Sequence, residues 1–204
     1  MVKQSTNPPP ETVGISFAAD PIKQAKQFIL VLHECVTFYT VSTLLPNERH
    51  DMLHNALFSL CINTQPLDGP LAVIRTDPTP CFMALNNDSV LHDHRIVLVI
   101  GRVKNRNKNP VAERVVQELE LELLRQDPKG GPVSPVVLSV ATATLNSQIR
   151  SRGLSAREMC MQRDQFSNIQ IPLSDYDLIS QQKSLCKANH PCSEKSKVPL
   201  SPNG

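Results

Sequence analysis

Three apolar segments follow one another so closely near the start of the chain that their short connections imply an antiparallel meander. Ile15, Phe17 and Ala19 alternate with polar or small residues and stop at Asp20-Pro21. Phe28 to Leu32 is apolar without interruption, and Val36 to Leu44 is rich in β-branched and aromatic residues. Alternation marks a half-buried strand, and a short unbroken apolar run marks a strand covered on both faces.

The pattern then changes. After Pro46-Asn47, with Asn47 placed to cap, Leu53, Ala56, Leu57 and Leu60 recur at helical spacing. A turn at Leu67 to Pro70 leads to a fourth strand, Leu71 to Thr76. Because a helix precedes it, that strand is expected to lie parallel to an earlier one. A short helical piece covers Cys81 to Leu85, and Arg95 to Ile100 forms a fifth strand. Asn109-Pro110 fits the cap and first position of a helix whose buried stripe is Ala112, Val115, Val116, Leu119 and Leu123. On that helix Glu113, Gln117 and Glu120 share another face, while Arg114 and Glu118 stand four apart as an ion pair. Ser134-Pro135 opens a further helix with Val137, Leu138, Ala141, Leu145 and Ile149 on one side, and Ser155 caps a last short one ending near Met161. This order predicts one α/β domain over residues 14–163, a five-stranded mixed sheet flanked by helices. Residues 1–13, with Pro8-Pro9-Pro10, read as an unstructured leader, and residues 164–204 as a polar, largely disordered tail.

Composition limits the functional classes. The net charge of +2 does not by itself imply a nucleic-acid partner, so the argument rests on where charges sit. Arg102, Lys104, Arg106 and Lys108 crowd one loop before the Glu113 helix, and they read either as a solvated loop or as phosphate contacts. With aromatics at 4%, nucleic-acid binding would be led by the backbone rather than by base stacking. The six cysteines have no regular spacing, and no secretory signal or apolar run of about 18 residues occurs. Free thiols in a reducing cytosolic or nuclear setting are expected. His50 and His54 are spaced like half a zinc site, but no Cys-x-x-Cys completes it. Cys186, His190 and Cys192 match no standard zinc spacing, and His92-Asp93-His94 reads as a surface turn. No zinc is expected.

Three carboxylates remain. Asp20 closes the first strand, Asp77 closes the fourth just before Pro78, and Glu113 stands in the first turns of its helix, with 35 residues between it and Asp77. Two strand ends and a helix can deliver such groups to one point, and hard oxygen ligands suit Mg²⁺. A pair of such ions about 3.5–4 Å apart can activate an attacking oxygen and steady a leaving one. Ordinary turn and first-turn acids would look the same locally.

The whole succession resembles the catalytic core of retroviral and LTR-retrotransposon integrases, which have a ribonuclease H-like fold. That family carries Asp, a second Asp, 35 residues and Glu, matched here by Asp20, Asp77 and Glu113. Asn105 to Glu113 resembles the family loop Asn-Pro-x-x-Asn-Gly-x-x-Glu, and Leu145-Asn146 to Glu158 resembles the end of its core. The resemblance implies DNA 3′-end processing and strand transfer, with Mg²⁺ or Mn²⁺ shared by Asp20 and Asp77 and by Asp20 and Glu113. It implies DNA held by Arg102, Lys104, Arg106 and Lys108, pairing of two copies through core helices, and a nuclear location reached through the cytoplasm. Pro78 follows Asp77 where the family favours Asn, and Pro110 stands where it has Gly. Each fixes φ and removes an N–H. A catalytically inactive module that binds nucleic acid or protein is the alternative reading.

Overall fold

Side-chain alternation along one strand builds a core on each face of a single sheet. The structure, a computed structural model, describes residues 13–47, 49–65, 69–101, 110–150 and 153–189. Strands β1 (Ser16–Gln24), β2 (Gln27–Glu34) and β3 (Thr40–Leu45) form the antiparallel meander. Strands β4 (Ala72–Thr76) and β5 (Ile96–Ile100) extend it in parallel beyond β1, giving the order β3-β2-β1-β4-β5. Along β2, Leu30 and Leu32 enter one core while Ile29 and Val31 enter the other, as a period of two requires. The first core is closed by α1 (His50–Thr64), α2 (Pro80–Ala84) and α3 (Ser89–Asp93) through Leu53, Leu57, Phe82 and Leu91. The second is closed by α4 (Pro110–Gln126) and α5 (Pro135–Ser147) through Val115, Leu119, Leu123, Leu138, Ala141 and Leu145. Helix α6 (Ala156–Met161) starts on a reciprocal capping box between Ser155 and Glu158. Among the described residues, no helix is long and apolar enough to cross a membrane.

Several element ends differ from the sequence reading. Strand β1 does not stop at Asp20-Pro21 but runs on to Gln24 and turns through Ala25 and Lys26, with φ of 46° and 65°. Two successive positive φ values give the hairpin turn whose twist suits antiparallel strands. Proline is tolerated because β1 pairs with β4 only from Ser16 to Ala19, so position 21 has no β4 neighbour to bond. Strand β3 begins at Thr40 rather than Val36. There the buried Glu34 carboxylate accepts the N–H groups of Val36 (2.9 Å) and Thr37 (2.5 Å), the Thr37 hydroxyl (2.8 Å) and the Gly14 N–H (3.2 Å). Donors engaged by a carboxylate cannot join a ladder, and Phe38 adopts φ 62° to complete the bend. Asn47 does not cap α1; its Oδ1 accepts the Arg49 N–H (3.0 Å) and closes a turn one step earlier. His92 and Asp93 belong to α3 rather than to a surface turn.

The stretch from 164, read as a structureless tail, contains α7 (Asp175–Asn189). Its Leu178 is buried against Val36 and Met159, with Leu173 and Ile179 packed beside it. So few apolar residues in a polar run give no periodic signal, and only the surface they meet makes them core. The rest of the leader and tail, 1–12 and 190–204, lies outside the described residues.

Helix α5 is locked to the sheet by polar groups as well as by its apolar stripe. The Asn146 amide accepts the Thr40 N–H (2.8 Å) and donates to the Thr40 carbonyl (2.7 Å), and Ser42 Oγ lies 2.6 Å from Thr142 Oγ1. Replacing Asn146→Ala strands two buried backbone groups and is expected to cost about 2–4 kcal/mol in urea unfolding.

Candidate functional site

The parallel pairing of β1 and β4 ends at Ala19↔Thr76, so Asp20 and Asp77 leave it side by side, each one residue further on. Alternation sends Phe17 and Ala19 into the core beneath α1, and Ile22 into the core beneath α4. Asp20 shares the parity of Ile22 and therefore the α4 side of the sheet. Past β4 the chain bends at once, with the Thr79 N–H on the Asp77 carbonyl (2.8 Å) and Pro80 opening α2. Phe82, fully buried among the α1-side residues, pins that bend. Pro78 thus sits in a turn held from both sides.

Helix α4 brings the third carboxylate. Its stripe of Val115, Leu119 and Leu123 lies on Ile22, Ile29 and Val31, and Glu113 is exposed in its first turn. A carboxylate there complements the helix dipole whatever else it does.

Electrostatics tie the three together. Burial, followed by the charges of Asp77, Glu113 and Glu120, raises the Asp20 carboxyl from 3.8 to about 7. Like charges held on one side of a half-buried acid favour its neutral form. The structure therefore places Asp77 and Glu113 each within electrostatic reach of Asp20. It does not draw them into a closed cage: among the described residues, no three His, Cys, Asp or Glu side chains are gathered so as to hold a metal ion. As a donor set these groups fit a hard divalent cation, being carboxylate oxygens whose mutual repulsion a positive ion would relieve.

Glu120, which the sequence reading placed on the face of Glu113 without giving it a role, also acts on Asp20. The signal was its helical spacing, seven residues on from Glu113. The basic loop residues Arg102, Lys104, Arg106 and Lys108 lie outside the described residues. Both ends of that loop are placed, however. The Gly101 N–H bonds the Thr76 carbonyl (2.9 Å) beside Asp77, and α4 resumes at Pro110, three residues before Glu113.

His54 and His94 serve packing. His54 Nε2 is 3.3 Å from Asp88 Oδ1, the group that caps α3, and the rings of His54, Phe58 and His94 lie together. Cys35, Cys61, Cys81 and Cys160 are free thiols, and burial pushes the first two up to about 12. His33, buried on β2 and close to Arg150, is lowered to about 3 by burial first and that cation second, so it is neutral.

The raised Asp20 carboxyl has a stability signature. The folded state keeps a proton that the unfolded chain has already lost, so this group costs stability progressively from about pH 4 to about pH 7. Asp20→Asn is therefore expected to gain on wild type across that window and level off above it, by about 1–2 kcal/mol after solvent screening. Urea titrations at pH 4 and pH 8 measure the difference, and an equal gain at both would contradict the assignment.

No protein-family model matches the chain, and no curated protein matches it in sequence. Among solved structures, the catalytic core domain of BIV integrase superposes with a TM-score of 0.59 at 19% identity. The match covers 72% of this chain and 94% of that one. With its mixed sheet and the helices on both faces, the chain has the ribonuclease H-like fold of a retroviral integrase catalytic core.

Proposed function

We propose that this chain is a retrotransposon-type integrase core that processes DNA 3′ ends and joins them to target DNA. The observation that carries the reading is the Asp20 carboxyl, raised by burial first and then by Asp77 and Glu113, acids delivered from two other elements. In this reading Asp20 and Asp77 hold one Mg²⁺ or Mn²⁺, and Asp20 and Glu113 hold another. When bound, such ions supply Lewis-acid activation and neutralise charge in phosphodiester transfer. The chain's own part is to fix the three oxygen donors on β1, the β4–α2 turn and α4. Arg102, Lys104, Arg106 and Lys108 then take DNA phosphates from a loop whose ends flank Asp77 and Glu113. Pairing of two copies through core helices and a nuclear location belong to the same proposal.

The second reading is a scaffold that binds nucleic acid or protein without turnover. It is favoured by Pro78 and Pro110, which fix φ beside two of the three acids, and by the open spacing of the carboxylates. A Mg²⁺-dependent end-cleavage and strand-transfer assay separates the two. Asp77→Asn is expected to lower activity by at least about a hundredfold, whereas equal residual activity in both proteins excludes the enzyme. Binding is tested separately. Replacing the four loop cations by Ala should flatten the dependence of log K on log salt by about 0.7–0.9 for each phosphate no longer neutralised. An unchanged slope would remove the loop from the interface.

A further inference from the structure

The apolar stripe of α4 leaves one degree of freedom open. Val115, Leu119 and Leu123 rest on the sheet, but apolar contact is non-directional and a helix seated on such a stripe can roll. At about 100° per residue, Glu118 lies roughly 140° around the helix from Glu113, with the stripe between them on the sheet side. Glu113, Gln117 and Glu120 therefore form one flank, and Glu118 stands on the other. Whatever holds Glu118 sets how far the Glu113 flank tips toward Asp20.

Glu118 is held by Arg150, 32 residues away, with Nη2 donating to Oε2 at 3.3 Å. Arg150 is itself fixed. Its guanidinium carbon is 5.3 Å from the centre of the Phe38 ring, in the bend after β2. Its backbone N–H bonds the Leu154 carbonyl (3.1 Å), and its carbonyl accepts the Gly153 N–H (2.9 Å). The side chain is only 17% exposed, so this pair is not the solvent-screened kind that contributes little. Arg114, the other partner of Glu118, is 73% exposed and belongs to α4 itself, so it cannot tie the helix to anything else. The neutral His33 near Arg150 adds no repulsion.

We infer that Arg150 is a positioning residue: anchored over Phe38 and bonded to Glu118, it fixes the roll of α4 and so the reach of Glu113 toward Asp20. Its importance for catalysis rests on the proposed function; its effect on α4 does not. Hydrogen exchange of the full-length protein without metal reads that effect directly. Arg150→Ala is expected to speed exchange of the α4 amides around 113–119 by about tenfold. Glu118→Gln, which keeps shape and packing, should do the same to a lesser degree. Arg125→Ala, which removes the 3.0 Å pair with Glu122 within α4, should leave these amides unchanged. Unchanged exchange in both Arg150→Ala and Glu118→Gln, or an equal effect of Arg125→Ala, would overturn the inference. In the transfer assay, Arg150→Ala should lower kcat with KM for DNA nearly constant, and a change confined to KM would also count against it. A wild type inactive in transfer, with the exchange results as expected, would sink the catalytic reading and leave the tie standing.

Discussion

Parallel pairing between β1 and β4, from Ser16↔Val73 to Ala19↔Thr76, is the contact on which the site depends. It is short and central, and it stops where the chain becomes acidic. Because both strands run the same way, their ends coincide, and Asp20 and Asp77 emerge as neighbours without any loop having to reach. Such a pairing needs a crossover, and α1 supplies it while covering one face of the sheet. The same crossover leaves the other face to α4 and α5. The acid on α4 thereby comes to the face that Asp20 occupies.

The surrounding structure protects that arrangement by different means on the two faces. Beneath α1 the packing is nearly all aliphatic and aromatic, with Phe82 locking the bend after Asp77. Beneath α4 and α5, directional bonds join the apolar stripe: the Asn146 amide on Thr40, the Ser42–Thr142 contact and the Glu118–Arg150 pair. Apolar burial supplies most of the stabilisation there but fixes no angle, whereas a hydrogen bond or ion pair does. Holding acids from strands and a helix near one another requires that second kind of contact. The cost is visible at Asp20, whose carboxyl is shifted upward by burial first and by the neighbouring acids second.

Much of the fold was legible because it rests on local periodicity. The meander, the parallel fourth strand, the existence of a fifth, the Ser134 and Ser155 caps and the stripe of α4 all follow from local pattern and connection length. The errors share a cause. Asp20-Pro21 looked like an end because proline usually breaks a ladder, yet β4 had already stopped there. Val36 to Tyr39 had strand composition, but Val36 and Thr37 gave their N–H groups to the Glu34 carboxylate. Leu178 lies in a polar run without periodicity and is core only because Val36 and Met159 give it a surface.

The sequence by itself determined the order of the five strands and of α1, α2, α4, α5 and α6, the alternation that gives each strand its faces, and the identity and spacing of Asp20, Asp77 and Glu113. These are properties of neighbours along the chain, where backbone geometry leaves few choices. Only the tertiary structure decided that Asp77, Glu113 and Glu120 act on Asp20, and that Arg150 bonds Glu118 from 32 residues away. Those relations depend on which surfaces are buried together, and a directional contact between distant residues leaves no periodic trace in the chain that carries it.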